Sequence, residues 1–315
     1  DFYFSQDGEY AASIDQSGTV YAWEMKTGQK LAQIAPKTDE YGYLDRPIAA
    51  IIYDDSLVIC EDEELKAISF DEEIIWSVAR SSGTIWCEFD ETAKMAACVC
   101  NEEVVIYDIT NGKVIAELPN NLELSYSSVM AYSDDKNKFA ISHINTEEDA
   151  TAGYISVYDF ETGEITDVET KASYISDMVF TADNCIVVAQ TMYSDVMNLD
   201  NEVGQGFVQK LDWRENSELW IDTYEYKLVG YETASSKVKY RCYEDLVTGD
   251  IHDEVVFSVD NTVHAWDGKS GEKITQAEVS SGITNLLISI NSGNTYLAQS
   301  NGIIEIINMS TGVKY

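Results

Sequence analysis

Proline is scarce in this chain of 315 residues: Pro36, Pro47 and Pro119 are its only copies, and none interrupts a strand-like run. Long ladders of backbone hydrogen bonds are therefore open to the rest of the sequence. Long apolar runs are missing as well, which excludes a membrane-spanning helix. No leader-like segment is read within the chain. Catalytic signatures that can be read from spacing are absent: there is no Gly-x-Ser-x-Gly elbow, no phosphate-binding loop and no dinucleotide fingerprint. No calcium loop of D-x-D-x-D-G type occurs either. Histidine appears three times, at His143, His252 and His264, never at ligand spacing. The six cysteines, Cys60, Cys87, Cys98, Cys100, Cys185 and Cys242, form no C-x-x-C pair. Cys98 and Cys100 flank Val99, so on a strand they share one face, and a metal there would need two further converging ligands. The expectation is buried free thiols in a reducing, cytoplasmic setting, with no metal, cofactor or catalytic residue. The alternative setting is an extracytoplasmic domain of a tethered protein.

Basic charge is also scarce. Lysine and arginine total 20 against 56 acidic residues, a formal charge of −36. A field of that sign repels nucleic acid and anionic membrane surfaces, which removes both as partners. Carboxylate pairs are so abundant that no single pair points to glycoside hydrolysis.

What the chain does have is a repeat. A five-residue pattern ends at Glu24, Ser69, Asp108, Asp159, Asp212, Asp267 and Asn308, in copies such as V-Y-A-W-E, V-V-I-Y-D and V-H-A-W-D. Successive endpoints lie 45, 39, 51, 53, 55 and 41 residues apart. A period of roughly 40 to 45 residues with four short strands per unit is the spacing of a β-propeller blade. The spacing predicts an all-β chain, a single seven-bladed propeller of four-stranded antiparallel blades over residues 1–315. Blade boundaries are expected near residues 42, 82, 123, 172, 223 and 280. The turn after the endpoint carries a glycine at Gly28, Gly112, Gly163, Gly271 and Gly312, where a hairpin needs positive φ. Blades two and five lack it and begin the outer strand with Trp76 and Trp220. The large residue before each endpoint (Trp23, Ile68, Tyr107, Tyr158, Leu211, Trp266, Ile307) is expected to pack between blades.

Two stretches exceed the period. One is residues 192–206. The other is residues 224–253, where K-L-V-G-Y-E and K-V-K-Y-R-C-Y-E read as an inserted pair of strands holding Lys227, Lys237, Lys239 and Arg241. The chain begins at Asp1 and stops at Tyr315 just after the last Thr-Gly, so both end strands are expected to be short and the chain to be a piece of a longer polypeptide.

The endings Trp23-Glu24, Tyr107-Asp108, Tyr158-Asp159 and Trp266-Asp267 resemble those of the WD-repeat (WD40-type) propeller family, over nearly the whole chain. The outer-strand Trp76 and Trp220 are similar to those of quinoprotein-like repeats. The Gly-His dipeptide that ties strands together in the WD-repeat family occurs nowhere, so its hydrogen-bonded tetrad is not carried over. The resemblance implies a rigid ring that binds proteins through its loops.

The loops between second and third strands hold many carboxylates and no lysine or arginine. Glu61, Asp62, Glu63, Glu64, Glu102, Glu103, Glu147, Glu148 and Asp149 are the candidate interaction face, with Lys37, Arg46, Arg80 and Lys171 near it. The expected function is a non-catalytic protein-interaction scaffold, the sensor or partner-binding part of a larger protein, whose protein partner has a basic surface. The rival is a quinoprotein-like or hydrolytic propeller enzyme using channel residues, and a structural spacer is the third reading.

Overall fold

A computed structural model describes residues 2–5, 9–38, 44–80, 83–90, 94–100, 103–118, 128–143, 152–191, 203–227, 236–244, 251–288, 294–301, 303–309 and 311–314. The described elements are all strands, and no helix long and apolar enough to cross a membrane occurs among these residues. The chain divides into two compact units, Asp1–Tyr126 and Ser127–Tyr315.

In the first unit, β1 (Phe2–Phe4), β2 (Tyr10–Ile14), β3 (Val20–Glu24) and β4 (Gln29–Ile34) form one sheet. A short hairpin of β5 (Lys37–Thr38) and β6 (Leu44–Asp45) comes next. The second sheet is β7 (Ala49–Tyr53), β8 (Ser56–Cys60), β9 (Glu64–Ser69) and β10 (Ile74–Ala79). The third is β11 (Thr84–Asp90), β12 (Met95–Cys100), β13 (Val104–Asp108) and β14 (Val114–Leu118).

The second unit opens with β15 (Met130–Tyr132), β16 (Lys138–His143), β17 (Tyr154–Asp159) and β18 (Ile165–Glu169). Next come β19 (Tyr174–Phe180), β20 (Ile186–Thr191), β21 (Val203–Asp212) and β22 (Ser217–Lys227). Then β23 (Lys237–Glu244), β24 (Ile251–Val259), β25 (Thr262–Asp267) and β26 (Lys273–Glu278) pair. The last sheet is β27 (Ile283–Ile288), β28 (Asn294–Gln299), β29 (Ile304–Asn308) and β30 (Val313–Lys314). Each four-stranded sheet is an antiparallel meander in chain order, and the end strands β1 and β30 are three and two residues long.

The recurrent acidic endpoint has a local cause. Asp108 Oδ1 accepts from Thr110 N at 2.8 Å and Thr110 Oγ1 at 2.6 Å, while Gly112 N donates to the Asp108 carbonyl at 2.8 Å. Asp159, Asp267 and Asn308 repeat this, their side chains accepting from Thr162 N, Ser270 N and Thr311 N. The endpoint thus caps the turn into the fourth strand, and the glycine supplies positive φ, as at Gly112 with φ 72°. The two sheets without that glycine use other residues in the same region: Glu72 at φ 65° and Asn216 at φ 48°.

Middle strands are buried on both faces, as in β8, β12 and β20, whose residues are all buried. That is the pattern of sheets covered on both sides by neighbours. Within the first unit β7 meets β1, β2 and β11, and within the second the first strands β15, β19, β23 and β27 meet in succession. Of the residues preceding the endpoints, Ile68, Tyr107, Leu211, Trp266 and Ile307 are buried, while Trp23 and Tyr158 are half-buried.

Two expectations are corrected. The boundary expected near residue 223 falls inside β22, which continues to Lys227. It does so because Tyr224 and Tyr226 still alternate inward, each opposite a glycine of β21, Gly206 and Gly204, that leaves room for the ring. The K-V-K-Y-R-C-Y-E segment is β23, a regular first strand and not an inserted one. Residues 192–202 lie outside the described residues.

Candidate functional site

The acidic run after β8 lies in the first unit, and the strands around it decide what it can do. Glu61 is not a surface charge: it is 2% exposed and pairs with Lys66, itself 4% exposed, and with Lys37 at 3.2 Å. Glu64, from the start of β9, pairs with Lys37, lies 3.3 Å from Lys66 Nζ and accepts from Ser77 Oγ at 2.5 Å. Burial pushes the Glu64 carboxyl up, but the hydrogen bonds from Lys37 and Ser77 and the Lys66 charge bring it down to about 2. The Glu64 hydrogen bond foremost raises Lys37. Arg80, at the end of β10, donates through Nη2 to the carbonyls of Glu61, Asp62 and Glu64. Asp62 and Glu63 are exposed, and Glu103 is half-buried. Asp45, close by on β6, has its carboxyl raised by burial and by the charges of Glu61 and Asp62.

The run expected to be a uniform acidic face is therefore two things. Glu61 and Glu64 hold the loop through buried and half-buried ion pairs, and Asp62 and Glu63 face solvent. A buried lysine cannot be left without its carboxylates, which is why this pair is drawn inward. Glu102, Glu147, Glu148 and Asp149 lie outside the described residues. Sequence reasoning placed Lys37 and Arg80 near this face but missed Lys66, although a lysine inside a strand of apolar neighbours, E-L-K-A-I-S, was the available signal.

Arg80 also faces the other way. Its Nη1 lies 3.4 Å from Cys98 Sγ and its Nη2 3.6 Å from Cys60 Sγ. Cys60 ends β8, while Cys87 and Cys98 are directly opposed on β11 and β12. The Cys60–Cys98 and Cys87–Cys98 sulfur separations are both 3.9 Å. All three side chains are buried among Ala49, Leu65, Ala96 and Val105. Burial pushes the Cys60 thiol up, but hydrogen bonds from Cys87 and Cys98 and the Arg80 guanidinium outweigh it, so the Cys60 pKa falls well below that of a free thiol. Cys87 is pushed up, by burial first. Cys100, paired with Cys98 in the sequence reading, instead lies 3.9 Å from Thr84 Oγ1.

Of the histidines, His143 in the second unit meets a serine and an acid. Its Nε2 lies 2.8 Å from Ser156 Oγ, which donates to Asp167 Oδ1 at 2.5 Å. The serine sits in the middle and gives its proton to the carboxylate, whereas an acyl-transfer triad places the histidine between acid and serine. The arrangement ties β16, β17 and β18 across one sheet. His264 is buried in stacked contact with Trp266, centroids 5.5 Å apart and planes 7° apart.

At the opposite end of β8 from Glu61, the first unit carries a shallow groove of about 340 Å³. Tyr53, Asp54, Asp55, Ile75, Trp76 and Thr110 are among the residues that line it. Ile74 and Ile75, on the edge strand β10, are 65% and 57% exposed.

No protein-family profile matches the chain, and no curated protein matches it. Solved structures do match, 1026 chains of them, which marks a widely shared architecture and not a particular activity. Among them the crystal structure of BamB from Moraxella catarrhalis is 13% identical, with a TM-score of 0.59 over 96% of this chain and 82% of that one. At that identity the likeness speaks to fold alone, and with the all-β, four-stranded antiparallel sheets it supports a β-propeller.

Proposed function

We propose that residues 1–315 form a single seven-bladed propeller of divergent WD-type repeats that serves as a non-catalytic protein-interaction scaffold, the sensor or partner-binding part of a larger protein. The observation that carries this reading is the groove on the first unit, where exposed Ile75 and half-buried Trp76 lie beside the carboxylates of Asp54 and Asp55. Apolar contact supplies affinity and the carboxylates select charge, so the fitting partner is a protein segment that joins apolar to basic residues. The exposed Asp62 and Glu63, at the other end of β8, add to the field that draws such a partner in. The free cysteines support a reducing, cytoplasmic setting.

The test is binding of the purified chain to an array of peptides that combine basic and apolar residues. Expected are complexes that weaken steeply as salt rises, and that are lost in a variant carrying Asp54→Asn, Asp55→Asn and Ile75→Ser. Asp62→Asn with Glu63→Gln should slow association more than it speeds release. Binding that ignores salt and survives the groove variant would remove this reading, as would turnover of a small-molecule substrate.

A further inference from the structure

Three sulfurs of the first unit converge without a disulfide between them. Cys60 comes from β8, Cys87 from β11 and Cys98 from β12, so two neighbouring sheets supply the group. Two of the sulfur–sulfur separations are 3.9 Å, and all three fall within 4.8 Å. With two edges of 3.9 Å and a third of no more than 4.8 Å, the point equidistant from the three sulfurs lies at most about 2.5 Å from each, close to the ordinary metal–thiolate distance of about 2.3 Å.

The surroundings narrow the ion. The walls are apolar: Ala49, Leu65, Ala96 and Val105 belong to the same cluster. Among the described residues no histidine or carboxylate joins the three sulfurs as a fourth donor. Structural zinc takes four ligands in a tetrahedron, so a three-sulfur set leaves it one short. Soft thiolates in a trigonal set suit a soft monovalent ion, and copper(I) is the biological one that accepts three sulfurs. Arg80 stands beside Cys98 and Cys60 with its guanidinium half-buried. Loading sends whatever protons the three sulfurs still carry to solvent and takes up one monovalent cation, so the site, three thiolates and one cation, carries a charge of 2−. The arginine offsets one of those charges. The same half-buried guanidinium holds the Glu61–Glu64 loop by its carbonyls, so the site and that loop share one side chain.

We propose that Cys60, Cys87 and Cys98 form a trigonal thiolate site for copper(I), with Arg80 as its charge-balancing neighbour.

The test uses the full chain with Cys242, the exposed cysteine, replaced by serine to silence surface binding. Reduced, metal-free protein is titrated anaerobically with copper(I) buffered by a competing chelator. One ion per chain is expected, with an ultraviolet thiolate-to-copper charge-transfer absorption and a three-sulfur shell at about 2.3 Å in X-ray absorption. Cys60→Ser, Cys87→Ser and Cys98→Ser should each lower affinity at least about 10-fold, since even a lost supporting contact around a metal costs that much. Cys100→Ser and Cys185→Ser should not. Because a serine in the apolar cluster threatens folding, a second measurement needs no substitution at the site. Copper loading should protect Cys60, Cys87 and Cys98, and not Cys100 or Cys185, from alkylation mapped by mass spectrometry. Sub-stoichiometric binding, equal protection of all five buried thiols, or preference for zinc(II) over copper(I) would each overturn the proposal.

Discussion

The ring of Trp76 lies so close to Gly112 that a Cβ on the glycine would come within 2.6 Å of Trp76 Cε3 and 2.8 Å of Val78 Cγ2. Trp76 is on the outer strand of the second sheet, and Gly112 is in the turn before the outer strand of the third. Trp220 and Gly271 repeat the relationship in the second unit, with a Cβ there 2.7 Å from Trp220 Cγ. Trp220 Nε1 also donates to the Gly268 carbonyl at 3.1 Å. The two sheets without a turn glycine thus present the tryptophan that rests on the next sheet's glycine.

Gly112→Ala should therefore destabilise the protein by about 2–4 kcal/mol, the left-handed backbone strain and the overpacking acting together. Gly28→Ala is the internal comparison: its φ is 70°, but nothing lies within 4 Å of the added carbon. It should cost only the backbone term, about 1 kcal/mol. Urea denaturation of both variants separates the two contributions, and equal losses would mean that the tryptophan contact carries no weight.

Glu72→Gly should stabilise. Glu72 holds φ 65° without a glycine's freedom, and its side chain is exposed. Relief of that strain is expected to raise stability by about 1 kcal/mol. Asn216→Gly should gain less, because asparagine tolerates the left-handed region. Thermal melts of the two variants check the order.

Glu61→Gln should be costly, whereas Asp62→Asn with Glu63→Gln should not. Loss of the Glu61 charge leaves buried Lys66 with Glu64 alone, at 3.3 Å. The remaining partner holds the cost to about 2–3 kcal/mol, below that of a fully orphaned buried charge. The exposed pair should change stability by less than about 0.5 kcal/mol. Chemical denaturation at one pH and salt concentration distinguishes the two sites.

His264 predicts a pH dependence. Burial first, then the Lys273 charge, lowers its pKa from 6.5 to about 4, against a smaller opposing effect of Asp222. Between those values the unfolded chain binds the proton and the folded one does not, so stability falls as pH drops from 6.5 towards 4. The contribution present above pH 6.5 is on the order of 3 kcal/mol at most. The wild-type protein should lose more stability between pH 7 and pH 4.5 than His264→Gln does, as read by urea midpoints at the two pH values. Parallel loss in both proteins would assign the acid sensitivity elsewhere.

The repeat was legible because its cause is local: an acidic side chain caps the turn just after it, so the signal recurs wherever the turn does. The end of the fifth sheet was harder, since β22 outruns the others. Even so, Gly204 and Gly206 facing Tyr226 and Tyr224 carried a period-two signal on both strands. The burial of Glu61 was not legible, because four consecutive acids read as a solvent loop and its partner Lys66 is reached only through the β8–β9 pairing. The thiol group was least legible. Cys87 and Cys98 are partners within one sheet, but Cys60 joins them from its neighbour, and no spacing rule spans two sheets.

The capped turn also bears on when parts of the chain take shape. An endpoint such as Asp108 and the amides it receives lie within a few residues of one another, so the third and fourth strands of a sheet can pair while the ribosome is still making the next sheet. Trp76 has no such independence. Its resting place, Gly112, is synthesised only after all of β11, β12 and β13, so the outer strand of the second sheet stays unclasped until the third has been delivered. For that interval Trp76 and Val78 are uncovered beside the already exposed Ile74 and Ile75, a wider apolar edge open to other nascent chains, and a slow patch of translation before Gly112 would prolong it.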